Sequence, residues 1–313
     1  MGIIKRPSEL SVKATLSVLI YGQPGIGKTT FGVSAPNAVL FDYDNGVQRI
    51  NGAHQVPTLQ PTSWEDTNLA LQELETEMPE IQTIVIDTVG KMLDYMTSYI
   101  IKNDPKMAMR DGSLSLKGYG VRKQMFINLL KRLSVMGKNV IFIAHEREER
   151  RGEETFKRPE IGGSSANDLI KELDLVGYMY AIGKERCITF DPQEYYYAKN
   201  TCNLPPVIKI PVVVDAQGIG CTNNTMNQIA LSYQAAQEKR QEMTANYEQL
   251  LAVIDATVES ATDVDSLNEA MTKVFAFEPI YDSVLRAKKA IANKGKQLNM
   301  VYNKETKCYE AKI

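Results

Sequence analysis

Three glycines, a lysine and a threonine stand at a spacing suited to phosphate chemistry, in the stretch GQPGIGKTT that follows the apolar run LSVLIY. The stretch fits the pattern GxxxxGK[ST] in full. Glycines let the backbone turn so that successive N–H groups point at a phosphate, the lysine adds a positive charge, and the threonine hydroxyl can ligate Mg²⁺. The pattern predicts a phosphate-binding loop formed by Gly22, Gln23, Pro24, Gly25, Ile26, Gly27, Lys28, Thr29 and Thr30.

A second motif, TIVIDT at residues 83–88, supplies the carboxylate that a magnesium site needs. Its apolar residues predict a buried strand, and Asp87 stands at the carboxyl end, where open α/β sheets place their ligands. The sequence therefore predicts a Mg²⁺ site shared by Thr29 and Asp87.

Four apolar runs must position these groups, at residues 15–22, 38–44, 83–88 and 139–145. They are nearly continuous in hydrophobicity, as strands buried on both faces are, and helical patterns separate them. This alternation predicts a doubly wound α/β fold with a mostly parallel sheet. Strand-like pieces after residue 173 predict hairpins at one sheet edge, and helical periodicity from about residue 226 predicts a small helical subdomain. We expect an ATP-binding core at 1–228 and the helical part at 229–313.

Composition narrows the class of protein. The formal net charge of −2 over 313 residues excludes a global basic excess, so nucleic-acid contact requires a local patch. The four cysteines form no CxxC pair, which argues against a zinc site. Since no apolar run reaches the roughly 18 residues of a transmembrane helix and the amino terminus has no signal-like segment, we expect a cytoplasmic protein without a membrane partner.

Four further features follow one another along the chain: LFDYDNG at 40–46, a cationic segment at 101–123, a strand with a long polar continuation at 141–165, and YYYAKNTCNLPP at 195–206. Together with the phosphate loop, this order resembles the RecA-like recombinase ATPases, in particular short phage-encoded members thought to act in single-strand annealing. The resemblance covers residues 12 to about 215. It implies a RecA-like P-loop fold, ATP and Mg²⁺ as cofactors, and a bacterial or phage-infected cell as the setting.

The resemblance also implies catalytic roles for individual residues. Asp44 would activate the attacking water, with Asp42 as the rival and a turn-capping carboxylate as the alternative for this Asp-Asn-Gly stretch. His145 would sense the γ-phosphate, unless it is a structural hydrogen-bonding residue. Lys199 would reach the ATP of a neighbouring subunit, although the second basic residue usual in that family is missing here.

Two segments would contact DNA by the same resemblance. The first, 102–118, has no clear periodicity, which predicts either a mobile loop or an ordinary solvated surface loop. The second, 146–166, mixes arginines with glutamates and is equally typical of a solvated surface. The candidate DNA contacts are Lys106, Arg110, Lys117, Arg147, Arg150 and Arg151. Tyr195, Tyr196 and Tyr197 alternate sides of a predicted strand, which favours core packing over base stacking.

Three functions fit these patterns. The first is an ATP-dependent recombination or annealing protein that binds single-stranded DNA as a homo-oligomer, in a ring or a filament, and works with a single-strand-binding protein or another replication partner. The second is a P-loop ATPase acting on a protein, such as a helicase loader or packaging factor. The third is a scaffold that binds ATP and scarcely hydrolyses it.

Overall fold

The computed structural model describes residues 3–10, 15–162 and 165–312, without the side chain of Arg151. The chain divides into two compact units. The larger unit is Ala14–Gln234, and the smaller one combines Met1–Lys13 with Ala235–Ile313.

The larger unit is built on one sheet with flanking helices. Its strands are β1 (Ser17–Gly22), β2 (Ala38–Asp42), β3 (Thr58–Leu59), β4 (Thr83–Asp87), β5 (Asn139–Arg151), β6 (Glu154–Pro159), β7 (Leu175–Ile182), β8 (Glu185–Thr189), β9 (Lys199–Asn200) and β10 (Val207–Ile210). Its helices are α1 (Lys28–Gly32), α2 (Trp64–Thr76), α3 (Val89–Asn103), α4 (Leu116–Val135), α5 (Ser165–Glu172) and the start of α6 (Thr225–Glu259).

The strand order β10-β8-β7-β1-β5-β4-β2-β3 confirms the predicted mostly parallel α/β fold. Strand β1 lies between β5 and β7 and is parallel to both, while β4 is parallel to β5 and β2. At one edge β7 and β8 form a hairpin as predicted, and β10 pairs with β8 in an antiparallel manner after a longer connection. The carboxyl ends of β1, β2, β4 and the parallel part of β5 therefore meet along one edge.

The near-continuous hydrophobicity of the central strands follows from burial on both faces. In β1, Leu19 and Tyr21 belong to the core under α2 to α5, whereas Val18 and Ile20 belong to the core under α1 and the start of α6. Alternate side chains of a strand point to opposite faces, so a strand covered on both sides must be apolar at every position.

The two segments assigned to DNA contact have more regular structure than the sequence suggested. In the first, Pro105–Met107 is a turn of 3-10 helix, Met107 and Leu114 are buried beside Ile100, and Met109 donates to the Ser113 carbonyl. In the second, β5 continues beyond the sheet as far as Arg151 and pairs with β6 in an antiparallel hairpin. The predicted loop 146–166 is therefore largely a β-hairpin.

The smaller unit contains the later part of α6, then α7 (Val264–Phe275), α8 (Ser283–Gln297), β11 (Met300–Asn303) and β12 (Cys308–Ala311). Ile254, Leu267, Ile291 and Tyr309 are buried in its core. The hairpin of β11 and β12 was not predicted. Across the described parts of both units, no helix has the length and apolar character to span a membrane.

Candidate functional site

The loop between β1 and α1 has the backbone geometry that its glycines predict. Gly27 has a φ of 97°, in the left-handed region that favours glycine. A Cβ on Gly22 would lie 2.2 Å from the carbonyl oxygen of Met179 on the neighbouring strand, so no side chain fits there. Both positions therefore require glycine for steric reasons that are independent of any ligand.

Lys28 lies folded over this loop. Its Nζ donates to the carbonyls of Gly22 at 2.9 Å and Gln23 at 2.8 Å, and the residue is only 5% exposed. Burial lowers the pKa of Lys28, although the nearby carboxylates of Asp87 and Asp44 act in the opposite direction. A cation is thus held at the centre of the loop, where it suits phosphate oxygens.

Thr29 and Asp87 meet at the end of β4. The Thr29 hydroxyl donates to Asp87 Oδ2 at 2.5 Å. Burial raises the pKa of the Asp87 carboxyl to about 6. Within the described residues no group of three or more His, Cys, Asp or Glu side chains could hold a metal. One hydroxyl and one carboxylate fit Mg²⁺, which keeps several waters and takes phosphate oxygens as its other ligands.

The raised pKa of Asp87 predicts opposite effects of pH on ligand binding and on stability. Only the ionised carboxylate binds Mg²⁺, so Mg²⁺-dependent nucleotide affinity should fall as the pH drops below about 6. Because the folded protein retains this proton up to a higher pH than the unfolded chain does, the contribution of Asp87 to the free energy of unfolding decreases as pH rises from about 4 to 6.

Asp87→Asn should therefore stabilise the nucleotide-free protein at pH 7.5 by up to about 3 kcal/mol, while abolishing the effect of Mg²⁺ on nucleotide binding. Denaturant unfolding at pH 7.5 and pH 4.5 measures the first effect, and the gain should be smaller at pH 4.5. Equal gains at both pH values would contradict a raised pKa.

The two carboxylates after β2 have different environments. Asp42 is 1% exposed and accepts the backbone N–H groups of Gly46 and Val47, each at 2.9 Å. Asp42 therefore closes the turn, which is the turn-capping role given above as the alternative for a carboxylate of this stretch. Asp44 instead lines the cleft beside the phosphate loop. Of the two rivals, Asp44 is the one with a carboxylate facing the candidate site.

His145 stands where β5 leaves the parallel sheet, level with Gly22 of β1. Its Nε2 lies 4.0 Å from Asp44 Oδ2 in the cleft. Its Nδ1 is buried and has no hydrogen-bond partner within the part of the chain that the structure describes. Burial and the Lys28 cation lower the pKa of His145, so the imidazole is neutral at pH 7 and has one N–H to donate.

Lys199 does not reach the phosphate loop of its own chain. It pairs with Val176 near the start of β7, at the sheet edge opposite the phosphate loop, because β9 runs antiparallel to β7. Its Nζ donates to the carbonyls of Ile170, at 3.4 Å, and Leu173 at the end of α5. Lys199 thus caps a helix terminus in its own chain, and its role at the nucleotide of a neighbouring subunit stays a prediction.

The candidate DNA contacts lie away from the cleft lining. Lys106 and Arg110 are exposed on the connection between α3 and α4, and Lys117 is exposed in the first turn of α4. Arg147 and Arg150 are exposed on β5. The side chain of Arg151 lies outside the described part of the chain.

The tyrosine segment that follows β8 was predicted to pack in the core, and that prediction was wrong for two of its three rings. Tyr195 is 52% exposed and Tyr197 is 42% exposed. The reason is that the segment runs beside the hairpin, where Lys157 donates its backbone N–H to the Tyr195 carbonyl.

The sequence analysis missed one wall of the cleft. The cleft has a volume of about 1150 Å³, and β8, β10 and the segment after β2 supply much of its lining. These residues include Gln48, Arg49, Ile50, Asn51, Lys184, Glu185, Arg186, Lys209 and the run Ile210 to Val214. The cationic turn KER at 184–186 was the available signal, but only the strand order brings it opposite the phosphate loop.

Comparison with known proteins agrees with this geometry. A family model described as an AAA domain, AAA_24, matches residues 14–202, which is more than half of the chain. No curated protein matches. The matched region contains the phosphate loop, Asp44, Asp87 and His145, and these groups together fit a magnesium nucleotide. The chain therefore belongs to the AAA_24 family of AAA-type P-loop ATPases.

Proposed function

We propose that this protein hydrolyses Mg-ATP and couples nucleotide state to the binding of single-stranded DNA, as an oligomeric recombination or annealing protein. The observation that carries the proposal is the continuity of β5, which runs without a break from the cleft into the exposed hairpin. His145 lines the cleft, and the next residue, Glu146, already pairs with β6. One strand thus joins the nucleotide site to a hairpin on which Arg147 and Arg150 are exposed.

Each group around the cleft has a separate role in hydrolysis. Lys28 and the loop N–H groups bind phosphate, Thr29 and Asp87 hold the magnesium ion, and Asp44 orients water and accepts its proton. When bound, Mg-ATP supplies the phosphoanhydride bond and the γ-phosphate charge that distinguishes the two nucleotide states. The neutral His145 donates its one available N–H to the γ-phosphate.

Contacts around Glu146 support the coupling. Glu160, one residue beyond β6, donates its backbone N–H to the His145 carbonyl at 2.7 Å, so both ends of the hairpin are fixed at this histidine. The carboxylate of Glu146 accepts from the Tyr178 hydroxyl at 3.1 Å and from Lys157 at 3.0 Å. A change in His145 orientation would therefore reach both strands of the hairpin.

One face of the hairpin suits a single strand of DNA. Arg147 lies directly opposite Arg158 across the strand pair, an arrangement that is unfavourable without an anion. Arg158 has Glu149 at 3.9 Å, whereas Arg147 has no ion pair among the residues that the structure describes. The exposed ring of Tyr195 lies 6.3 Å from the ring of Phe156, which belongs to β6 of this hairpin. Proteins that bind single-stranded DNA typically combine arginines, which contact phosphates, with an exposed aromatic ring, on which bases stack.

The proposal predicts that Arg147→Ala and Tyr195→Ala each weaken the binding of a labelled single-stranded oligonucleotide about tenfold. The first variant removes a phosphate contact, and the second removes a surface on which a base stacks. Fluorescence anisotropy at one fixed low salt concentration measures this, with and without a non-hydrolysable ATP analogue. The analogue should tighten wild-type binding. Lys304→Ala and Tyr302→Ala, exposed residues of the smaller unit, are matched controls that should change little.

A protein-directed ATPase, such as a helicase loader or packaging factor, is the second candidate. The observation in its favour is a set of exposed large apolar side chains in the smaller unit, including Tyr281 at 61%, Leu285 at 52% and Phe275 at 44%. Oligonucleotide binding that responds neither to the analogue nor to the hairpin variants would favour this candidate over the first. A partner captured by residues 230–313 would then identify its target.

A further inference from the structure

Arg186 occupies a fixed position on the cleft wall that faces the phosphate loop. Its backbone lies in β8, where it is paired with Ala181 on one side and with Ile210 of β10 on the other. A residue held between two strands has little freedom to shift, so its side chain is presented to the cleft in one direction.

The guanidinium of Arg186 reaches the loop itself. Its terminal nitrogen Nη1 lies 3.1 Å from the point that a Cβ on Gly27 would occupy. The adjacent carboxylate does not neutralise it, because Glu185 is paired with Lys209 at 2.9 Å. Arg186 has neither a hydrogen bond nor an ion pair from its side chain to any residue in the described ranges. A cation without a counter-ion, poised over a phosphate loop, is arranged for an anion that binds between them.

We propose that Arg186 binds the phosphate chain of the nucleotide held by its own chain. The planar guanidinium offers several N–H donors in a fork that matches phosphate oxygens, which the point charge of Lys28 cannot do. This inference rests on nucleotide binding at the loop and is independent of DNA. Arg186 would then supply a second cation to the site in cis, and the role in trans that the family resemblance implies for Lys199 is a separate prediction.

The first test is a binding measurement. Arg186→Ala should weaken the affinity for a fluorescent non-hydrolysable ATP analogue at least tenfold, and inorganic tripolyphosphate should displace the analogue less effectively by a similar factor, since the lost contact is to phosphate. Arg186→Lys should fall between wild type and alanine. Lys131→Ala removes an exposed cation of α4, away from the cleft lining, and should stay within twofold of wild type. Thermal denaturation without nucleotide shows whether each variant folds.

The second test distinguishes a contact in cis from one in trans. Arg186→Ala is mixed with excess Lys28→Ala, whose own nucleotide site is disabled but whose Arg186 is intact. A contact in cis predicts that the analogue affinity of the Arg186→Ala sites does not recover, at any protein concentration.

Three results would overturn the inference: an affinity of folded Arg186→Ala or Arg186→Lys equal to that of wild type, a loss no greater than that of Lys131→Ala, or recovery on mixing. Failure of the wild-type protein to bind nucleotide would overturn both this inference and the proposed function. By contrast, nucleotide binding that depends on Arg186 but does not respond to DNA would support the inference and contradict only the proposed function.

Discussion

Replacing Asp44 with asparagine is expected to lower the ATP turnover number at least 100-fold and to leave ATP affinity within about threefold of wild type. The carboxylate lines the cleft and lies 4.0 Å from His145 Nε2, with 28% of its side chain exposed. An amide of the same size keeps the shape of the site but cannot accept a proton from water. Steady-state phosphate release and equilibrium binding of a non-hydrolysable analogue measure the two quantities separately.

Asp42→Asn is the matched control, two residues away. It weakens the acceptor for the Gly46 and Val47 N–H groups, so it should lower the free energy of unfolding by about 1–3 kcal/mol and affect turnover per folded molecule much less than Asp44→Asn does. Unchanged turnover in Asp44→Asn would contradict its role as a base. It would instead favour a scaffold that binds ATP and scarcely hydrolyses it.

Replacing Lys28 with alanine should weaken Mg-ATP binding at least 100-fold, because a charge-assisted contact to phosphate is lost at the centre of the loop. The stabilisation of the protein by saturating Mg-ATP in thermal denaturation should disappear with it. Lys171→Ala, an exposed lysine on α5, is the control and should retain the full thermal shift. A retained shift in Lys28→Ala would mean that nucleotide binds elsewhere.

The two variants separate binding from chemistry. Lys28→Ala removes the nucleotide and therefore tests the site under every function considered, whereas Asp44→Asn retains the nucleotide and tests whether the site hydrolyses it. Comparing their effects on DNA affinity then shows whether bound ATP or its hydrolysis controls the hairpin.

The parallel sheet and the phosphate loop could be predicted from sequence because their signals are local. A strand buried on both faces must be apolar along its length, as in Thr83–Asp87, and a loop that wraps phosphate requires glycines at fixed spacing. The position of Asp87 at the end of its strand followed from the same pattern.

The hairpin of β5 and β6 could not be predicted from the sequence, because cross-strand contacts hold it together. The sequence HEREERR shows no hydrophobic alternation, and contacts such as Glu148 with Lys157 at 2.7 Å join residues that only the turn at Gly152 brings together. Strand pairing of this kind leaves little trace in periodicity.

The positions of Lys199 and Arg186 in the fold could not be predicted for a related reason. The direction of β9 decides which sheet edge Lys199 occupies, and the order β8-β7-β1 decides that Arg186 lies over Gly27. Both are properties of the assembled sheet, and neither residue lies in a motif that would reveal its position.

The steady-state rate of ATP hydrolysis, with and without single-stranded DNA at one fixed low salt concentration, tests the proposed coupling most directly. Coupling through β5 predicts a several-fold change in rate on adding DNA, and the loss of that change in Arg147→Ala with its DNA-free rate intact. A measurable rate that is indifferent to DNA would contradict the coupling and favour an ATPase directed at another protein.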